Sequence, residues 1–172
     1  MIHIYTGNAK GKTTCSIGLA VRARGQGLKV AIFQFLKPDS IETGEEKLLR
    51  GIEGIELVKF KQIHPIFQGK PVKIEELRSE VDEDFKKVEK AAFSNKYDMV
   101  ILDEIINVLD QGFLDIERFL KFIKKMPKQM ELVLTGRGDI SNIEAFSDYV
   151  TVMVEKKHPF KKKQIARKGI EY

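Results

Sequence analysis

Residues 1–25, MIHIYTGNAKGKTTCSIGLAVRARG, decide the fold. Ile2 to Tyr5 reads as a short strand, and Lys12 to about Arg24 as a helix stopped by Gly25 and Gly27. Between them stands Thr6-Gly7-Asn8-Ala9-Lys10-Gly11-Lys12-Thr13. Its last three residues match the end of the phosphate-loop pattern G-x-x-x-x-G-K-[ST], with Thr6 in place of the first glycine and Gly7 immediately after. The residue types suit the chemistry. Glycines let backbone N–H groups face phosphate oxygens, and a helix N-terminus adds a favourable field. Lys12 neutralises phosphate charge, and Thr13 offers a hydroxyl to Mg²⁺. A glycine-rich turn with solvated lysines is the plain alternative, but the order strand, loop, helix favours a grip on the triphosphate of ATP or a close relative.

Outward from this unit, short apolar runs alternate with helix-like stretches. Strands are expected at Val30–Leu36, Ile55–Phe60, Met99–Leu102, Glu131–Thr135 and Tyr149–Val154. Helices are expected at Glu42–Arg50, Ile74–Asn95, Ile116–Lys125 and Ile143–Phe146, the second with apolar residues at Leu77, Val81, Phe85, Val88 and Ala92. Gln62 to Lys73, with two prolines and a glycine, reads as a loop. The alternation predicts an α/β fold with a largely parallel sheet flanked by helices, in one domain over residues 1–172. Ligands of such folds bind at the carboxyl ends of the strands. The suggestive segments all fall there: the loop after the first strand, Gln34 to Lys37, Asp103-Glu104, and Thr135 to Gly138.

Met99-Val-Ile-Leu-Asp103-Glu104 is a buried-type strand ending in two acids, the setting in which phosphate-loop proteins hold their metal. Solvated acids at a strand end are the competing reading. Alternation along a strand sends Asp103 and Glu104 in different directions, so one of them is the direct ligand. Arg137, in Thr-Gly-Arg-Gly, can pair with phosphate or remain a surface arginine in a turn. Arg22 lies three turns into the first helix and reads, from spacing alone, as solvated.

At 42% hydrophobic and 32% charged the chain is of the soluble globular class. No apolar run reaches the roughly 20 residues of a membrane helix, and the start has no signal-peptide features, which points to the cytoplasm. The lone Cys15 has no internal partner and is expected to be a small buried residue. The net charge of +5 is local: residues 156–172 carry seven Lys/Arg against Glu171. That tail suits an anionic ligand. A nucleic-acid role would want interleaved stacking aromatics, and only Phe160 and Tyr172 are at hand.

Taken together, residues 6–14 (TGNAKGKTT), 34–37 (QFLK), 102–104 (LDE), 134–138 (LTGRG), 157–160 (KHPF) and 166–172 (ARKGIEY) resemble, in order and over essentially the whole chain, the ATP:corrinoid adenosyltransferases of the CobA/BtuR/CobO type. The resemblance implies a RecA-like P-loop fold, a homodimer and a reductase that supplies electrons. It implies transfer of the 5′-deoxyadenosyl group of ATP to the Co(I) of a reduced corrinoid with release of triphosphate, in cobalamin synthesis or salvage. By that resemblance Gly7, Asn8, Ala9, Lys10, Gly11, Lys12, Thr13 and Thr14 hold phosphates or Mg²⁺. Glu104, with Asp103, supports the metal. Arg22 touches nucleotide, because the family binds ATP reversed, Arg137 joins the ATP-binding set, and Gln34 and Phe67 meet the corrinoid. The catalytic set is Lys12, Thr13 and Glu104. Two positions depart from the family: Ala9 replaces a common glycine and disfavours positive φ, and His64-Pro-Ile-Phe67 stands where members carry a phenylalanine and a tryptophan. A P-loop NTPase or phosphotransferase of other substrate is the reading from the motif alone.

Overall fold

The structure is a computed structural model that describes residues 1–37, 42–62, 73–159 and 164–170. Six strands among them form one parallel sheet: β1 (Ile2–Thr6), β2 (Val30–Gln34), β3 (Ile55–Lys59), β4 (Met99–Asp103), β5 (Glu131–Thr135) and β6 (Tyr149–Val152), in the order β3-β2-β4-β5-β1-β6. Parallel strands need covered faces. Accordingly β2 and β4 are buried at every position and β5 at all but its first.

The side chains alternate between two cores. α1 (Lys12–Gly25) and α2 (Gly44–Leu49) cover Val30, Ile32, Met99, Ile101 and Val133 with Ala20, Ala23 and Leu49. On the other face α3 (Ile74–Ala92), α4 (Ile105–Asp110), α5 (Ile116–Lys125) and α6 (Ser141–Glu144) cover Ile4, Phe33, Val100, Leu102, Leu132 and Leu134. The apolar stripe of α3 buries Leu77, Val81, Phe85, Val88 and Ala92, as its spacing requires. β6 is the exposed edge, and its Tyr149, Val150 and Val152 face outward. No helix among the described residues is long and apolar enough to cross a membrane.

Beyond shifts of two or three residues at element ends, the fold departs from the reading of the sequence in the following ways. α4 follows β4 with only Glu104 between, and no helix was expected there. β2 ends at Gln34, two residues early, because Leu36 turns the chain with φ 54°. Cys15 is exposed, not buried: on α1 it is Ser16, Ala20 and Ala23 that face the sheet.

Candidate active site

Register carries the site. Gln34 pairs with Asp103, Leu102 with Leu134, and Tyr5 with Thr135. Residues far apart in sequence therefore stand in one row along the carboxyl edge of the sheet, with the phosphate loop at its β1 end.

The loop is shaped by two glycines and one neighbouring strand. Gly7 and Gly11 have φ of 100° and 117°, where a side chain is disfavoured. Ala9 is not among the positive-φ residues, so alanine fits where the family commonly has glycine. Met153, just past β6, donates its N–H to Thr6 O at 2.8 Å and accepts from Ala9 N–H at 3.1 Å. A Cβ on Gly7 would lie 2.4 Å from the Met153 carbonyl oxygen. α1 then begins at Lys12 with no side-chain cap and no acid in its first turn, which leaves its terminal amides to an anion.

Lys12 is buried, and its ammonium donates to Gly7 O and Ala9 O, each at 2.8 Å. Burial lowers its pKa first, and Arg137 adds to this, while Glu104 and Asp103 oppose it. An anion brought between these cations relieves both penalties.

The two acids take separate parts. Asp103, 1% exposed, is saturated: Oδ1 accepts from Thr13 Oγ1 at 2.9 Å and Thr135 Oγ1 at 2.6 Å, and Oδ2 faces Lys37 Nζ at 3.2 Å with Gln34 Nε2 at 3.4 Å. Glu104 turns away through a left-handed backbone, φ 64°, fixed by its N–H donating to Thr135 Oγ1 at 3.0 Å. Its carboxyl pKa is raised by burial first and by Asp103 next, against Lys37, Lys12 and Arg137. Asp103 thus orients the Thr13 hydroxyl, and Glu104 is the acid open to the groove.

That groove, about 620 Å³, is lined by Lys10 to Thr14, Lys37, Thr43 to Glu45, Leu48, Glu104, Arg137, Gly169 and Ile170. Arg137 is carried there by α4: its N–H donates to Asn107 Oδ1 at 2.7 Å, and Asp139 N–H to Asp110 Oδ1 at 2.8 Å. Gly136 and Gly138, at φ 143° and 130°, sit so close to Asn107 and Asp110 that a Cβ on either would come within 2.5 Å. The basic tail also reaches the site, where Lys10 Nζ donates to Ile170 O at 2.8 Å.

Lys10, Gly11, Lys12, Thr13, Thr14, Glu104 and Arg137 therefore converge, with Asp103 beneath them and Gly7, Asn8 and Ala9 forming the loop's outer arm. Two expected residues stand elsewhere. Arg22 is exposed on α1 and outside the groove lining; its charge is felt at Tyr5, whose hydroxyl pKa is raised by burial above all. Gln34 is 1% exposed, with Nε2 3.4 Å from Asp103 Oδ2 and its Oε1 buried without a hydrogen-bond partner among the described residues. Phe67, His64 and Lys161 to Lys163 lie outside the described residues. Lys37, Thr135 and Met153 were not singled out from the sequence, though the first two lie in strand-end segments that were.

The donor set suits a hard divalent cation. Thr13 Oγ1 and the Glu104 carboxylate offer oxygen donors, and Mg²⁺ characteristically takes one or two carboxylates, several waters and the substrate's phosphates. No group of three His, Cys, Asp or Glu able to cage a metal occurs among the described residues.

Residues 1–172 match the family described as ATP:corrinoid adenosyltransferase BtuR/CobO/CobP. A protein of Pseudomonas aeruginosa named corrinoid adenosyltransferase is 31% identical over 169 residues, 98% of this chain and 82% of that one. Its namesake in Escherichia coli K12 is 31% identical over 172 residues, 100% of this chain and 85% of that one. Among solved structures, a KaiC-like protein of the hyperthermophilic archaeon Pyrococcus horikoshii superposes with a TM-score of 0.54 over 91% of this chain and 74% of its own, at 14% identity. That likeness places the sheet and its flanking helices in the RecA-like P-loop fold.

Proposed function

The chain belongs to the ATP:corrinoid adenosyltransferase BtuR/CobO/CobP family, and from that premise we propose how its own residues serve ATP-dependent adenosylation of a corrinoid. The observation that carries the assignment is the convergence of Lys10, Lys12, Lys37 and Arg137 on one groove beside the P-loop helix.

The reaction is a displacement at carbon. The electron pair of Co(I) in the reduced corrinoid forms a bond to C5′ of ATP. The C5′–O bond breaks, and its electron pair leaves on the triphosphate. Nothing needs deprotonating. The protein's tasks are to hold the leaving group's charge and to fix the line of attack. Lys12, the loop amides and Arg137 hold phosphate oxygens. Thr13, aimed by Asp103, and Glu104 hold Mg²⁺, which when bound adds charge neutralisation at the triphosphate. Phe67 covers the corrinoid, which is cob(I)alamin or cob(I)yrinic acid a,c-diamide. The working unit is a cytoplasmic homodimer fed by a reductase.

An anaerobic assay tests this reading: protein, ATP and each chemically reduced corrinoid, with the cobalt–carbon product followed by its spectrum and the phosphates analysed. The expected products are adenosylated corrinoid and intact triphosphate in equal amounts. ADP and phosphate in step with turnover would refute displacement at C5′.

A further inference from the structure

The geometry points to Lys37 as a mobile cation that neutralises Asp103 while the metal is away and passes to the triphosphate when the metal arrives. The inference rests on the groove being the nucleotide and metal site.

Lys37 follows Leu36, one of three non-glycine residues with positive φ among the described residues. Such a conformation costs about 1–3 kcal/mol and persists where the surroundings over-determine it. Here it turns the chain back from the end of β2, so that Lys37 lies over the sheet edge. Its ammonium is 3.2 Å from Asp103 Oδ2, and its side chain keeps 24% exposure on the groove that Lys12, Thr13 and Glu104 also line.

The two oxygens of Asp103 are held unequally. Oδ1 is committed to two hydroxyls at 2.9 and 2.6 Å, whereas Oδ2 has Lys37 and only a long contact, 3.4 Å, from Gln34. A buried carboxylate needs a counter-charge, and Lys37 supplies it. A divalent ion between Thr13 and Glu104 would take over that compensation. It would also place two positive charges beside the ammonium, a repulsion that falls only as the inverse of distance and is strong at reduced dielectric. The negative charge then available to Lys37 is the triphosphate, in the same groove.

A counter-ion that exchanges competes with the metal for Asp103, and metal binding without nucleotide reads that competition. Mn²⁺, which is visible by electron paramagnetic resonance, is titrated into wild type, Lys37→Gln and Lys37→Arg. Exchange predicts that Lys37→Gln binds Mn²⁺ at least tenfold more tightly, about 1.4 kcal/mol. Lys37→Arg keeps the wild-type Mn²⁺ affinity within about twofold, because it keeps the charge. Unchanged or weaker Mn²⁺ binding by Lys37→Gln overturns the inference. Should that variant not fold, acylation of wild-type lysines read by mass spectrometry decides. Mg²⁺ alone should speed labelling of Lys37 and MgATP should slow it, and equal labelling in all states refutes exchange. A wild type that binds no MgATP would instead overturn the assignment of the groove itself.

Discussion

Asp103→Asn and Glu104→Gln each remove one charge from adjacent positions, yet they are expected to move stability in opposite directions. Asp103 is 1% exposed and accepts from Thr13 and Thr135 at 2.9 and 2.6 Å while facing Lys37 at 3.2 Å. A hydrogen bond to a charged group is worth about 1.5–3 kcal/mol, against about 0.5–1.5 for a neutral one. Neutralising the acceptor of two such bonds therefore costs about 2 kcal/mol. Breaking a fully buried ion pair from one side costs about 3–5 kcal/mol, but Lys37 keeps 24% exposure and can turn to water. A total of about 3 kcal/mol follows, which for a chain of this length lowers Tm by roughly 6–12 °C.

Glu104 has the reverse sign. Its folded pKa is raised, by burial first and by the Asp103 charge next. An acid with a raised pKa contributes stability that is full below its unfolded pKa, about 4.3, and is lost as pH rises through the folded pKa. At pH 7 the ionised carboxylate therefore opposes folding. Glu104→Gln should melt above wild type at pH 7, with the gap closing toward pH 4, although it loses metal-dependent turnover. Calorimetric melts of both variants from pH 4 to 8, without metal, measure this. An Asp103→Asn protein as stable as wild type, or a Glu104→Gln protein that gains nothing over wild type between pH 4 and pH 7, would refute the division of roles between the two acids.

Lys12→Ala should lose ATP affinity by more than 100-fold in calorimetric titration while Tm shifts little, since among the described residues the side chain bonds to carbonyls of its own loop; normal ATP binding would sink the P-loop assignment. Gly7→Ala should destabilise by at least about 1–3 kcal/mol, the cost of an unfavourable left-handed residue, because its Cβ meets the Met153 carbonyl oxygen at 2.4 Å; an unchanged melt would count against the pairing of β6's end with the loop. Thr13→Ala and Glu104→Ala should weaken Mg²⁺-dependent turnover non-additively, as both act through one ion, and a kinetic double-mutant cycle reads the coupling directly. Phe67→Ala should lower turnover with corrinoid far more than ATP affinity, each square ångström of apolar cover lost being worth about 25 cal/mol; steady-state kinetics in both substrates separates the two effects.

What could be read before the structure was what local sequence determines. The strand, glycine loop and helix of residues 2–25 announce themselves through spacing, and the apolar stripe of α3 does so through period. Asp103 and Glu104 were legible as a pair because an apolar run stops at them. Their division of labour was not, since it depends on a left-handed backbone at Glu104 and on Thr135, 31 residues away. α4 escaped notice for the same reason. Its Ile105, Ile106 and Val108 are β-branched, and it starts without linker or side-chain cap, so Glu104's conformation alone makes the break from β4. Lys37 meets Asp103 only through the β2–β4 register. Nothing local to Gln34 reveals that its side chain is buried against a carboxylate 69 residues later.

The same architecture explains how a phosphate loop serves a reaction at carbon. In γ-phosphoryl transfer the new charge appears between the β- and γ-phosphates, and a base or water-positioning group must attend the nucleophile. When C5′–O breaks, the charge appears on the α-phosphate oxygen and the nucleophile brings no proton. Such a site needs cations ranged along the whole triphosphate and an acid that binds metal without acting as a base. Lys10, Lys12, Lys37 and Arg137 line the groove. Asp103, the more deeply buried acid, faces Thr13, Thr135, Gln34 and Lys37. Glu104 is the residue on which the two chemistries part: as a metal ligand it serves displacement, and as a base it would serve hydrolysis. Its position among Lys12, Lys37 and Arg137, whose charges all pull its raised pKa down, favours the ionised, metal-holding form once Mg²⁺ adds two further charges. Water activation would need a proton acceptor that those same charges weaken.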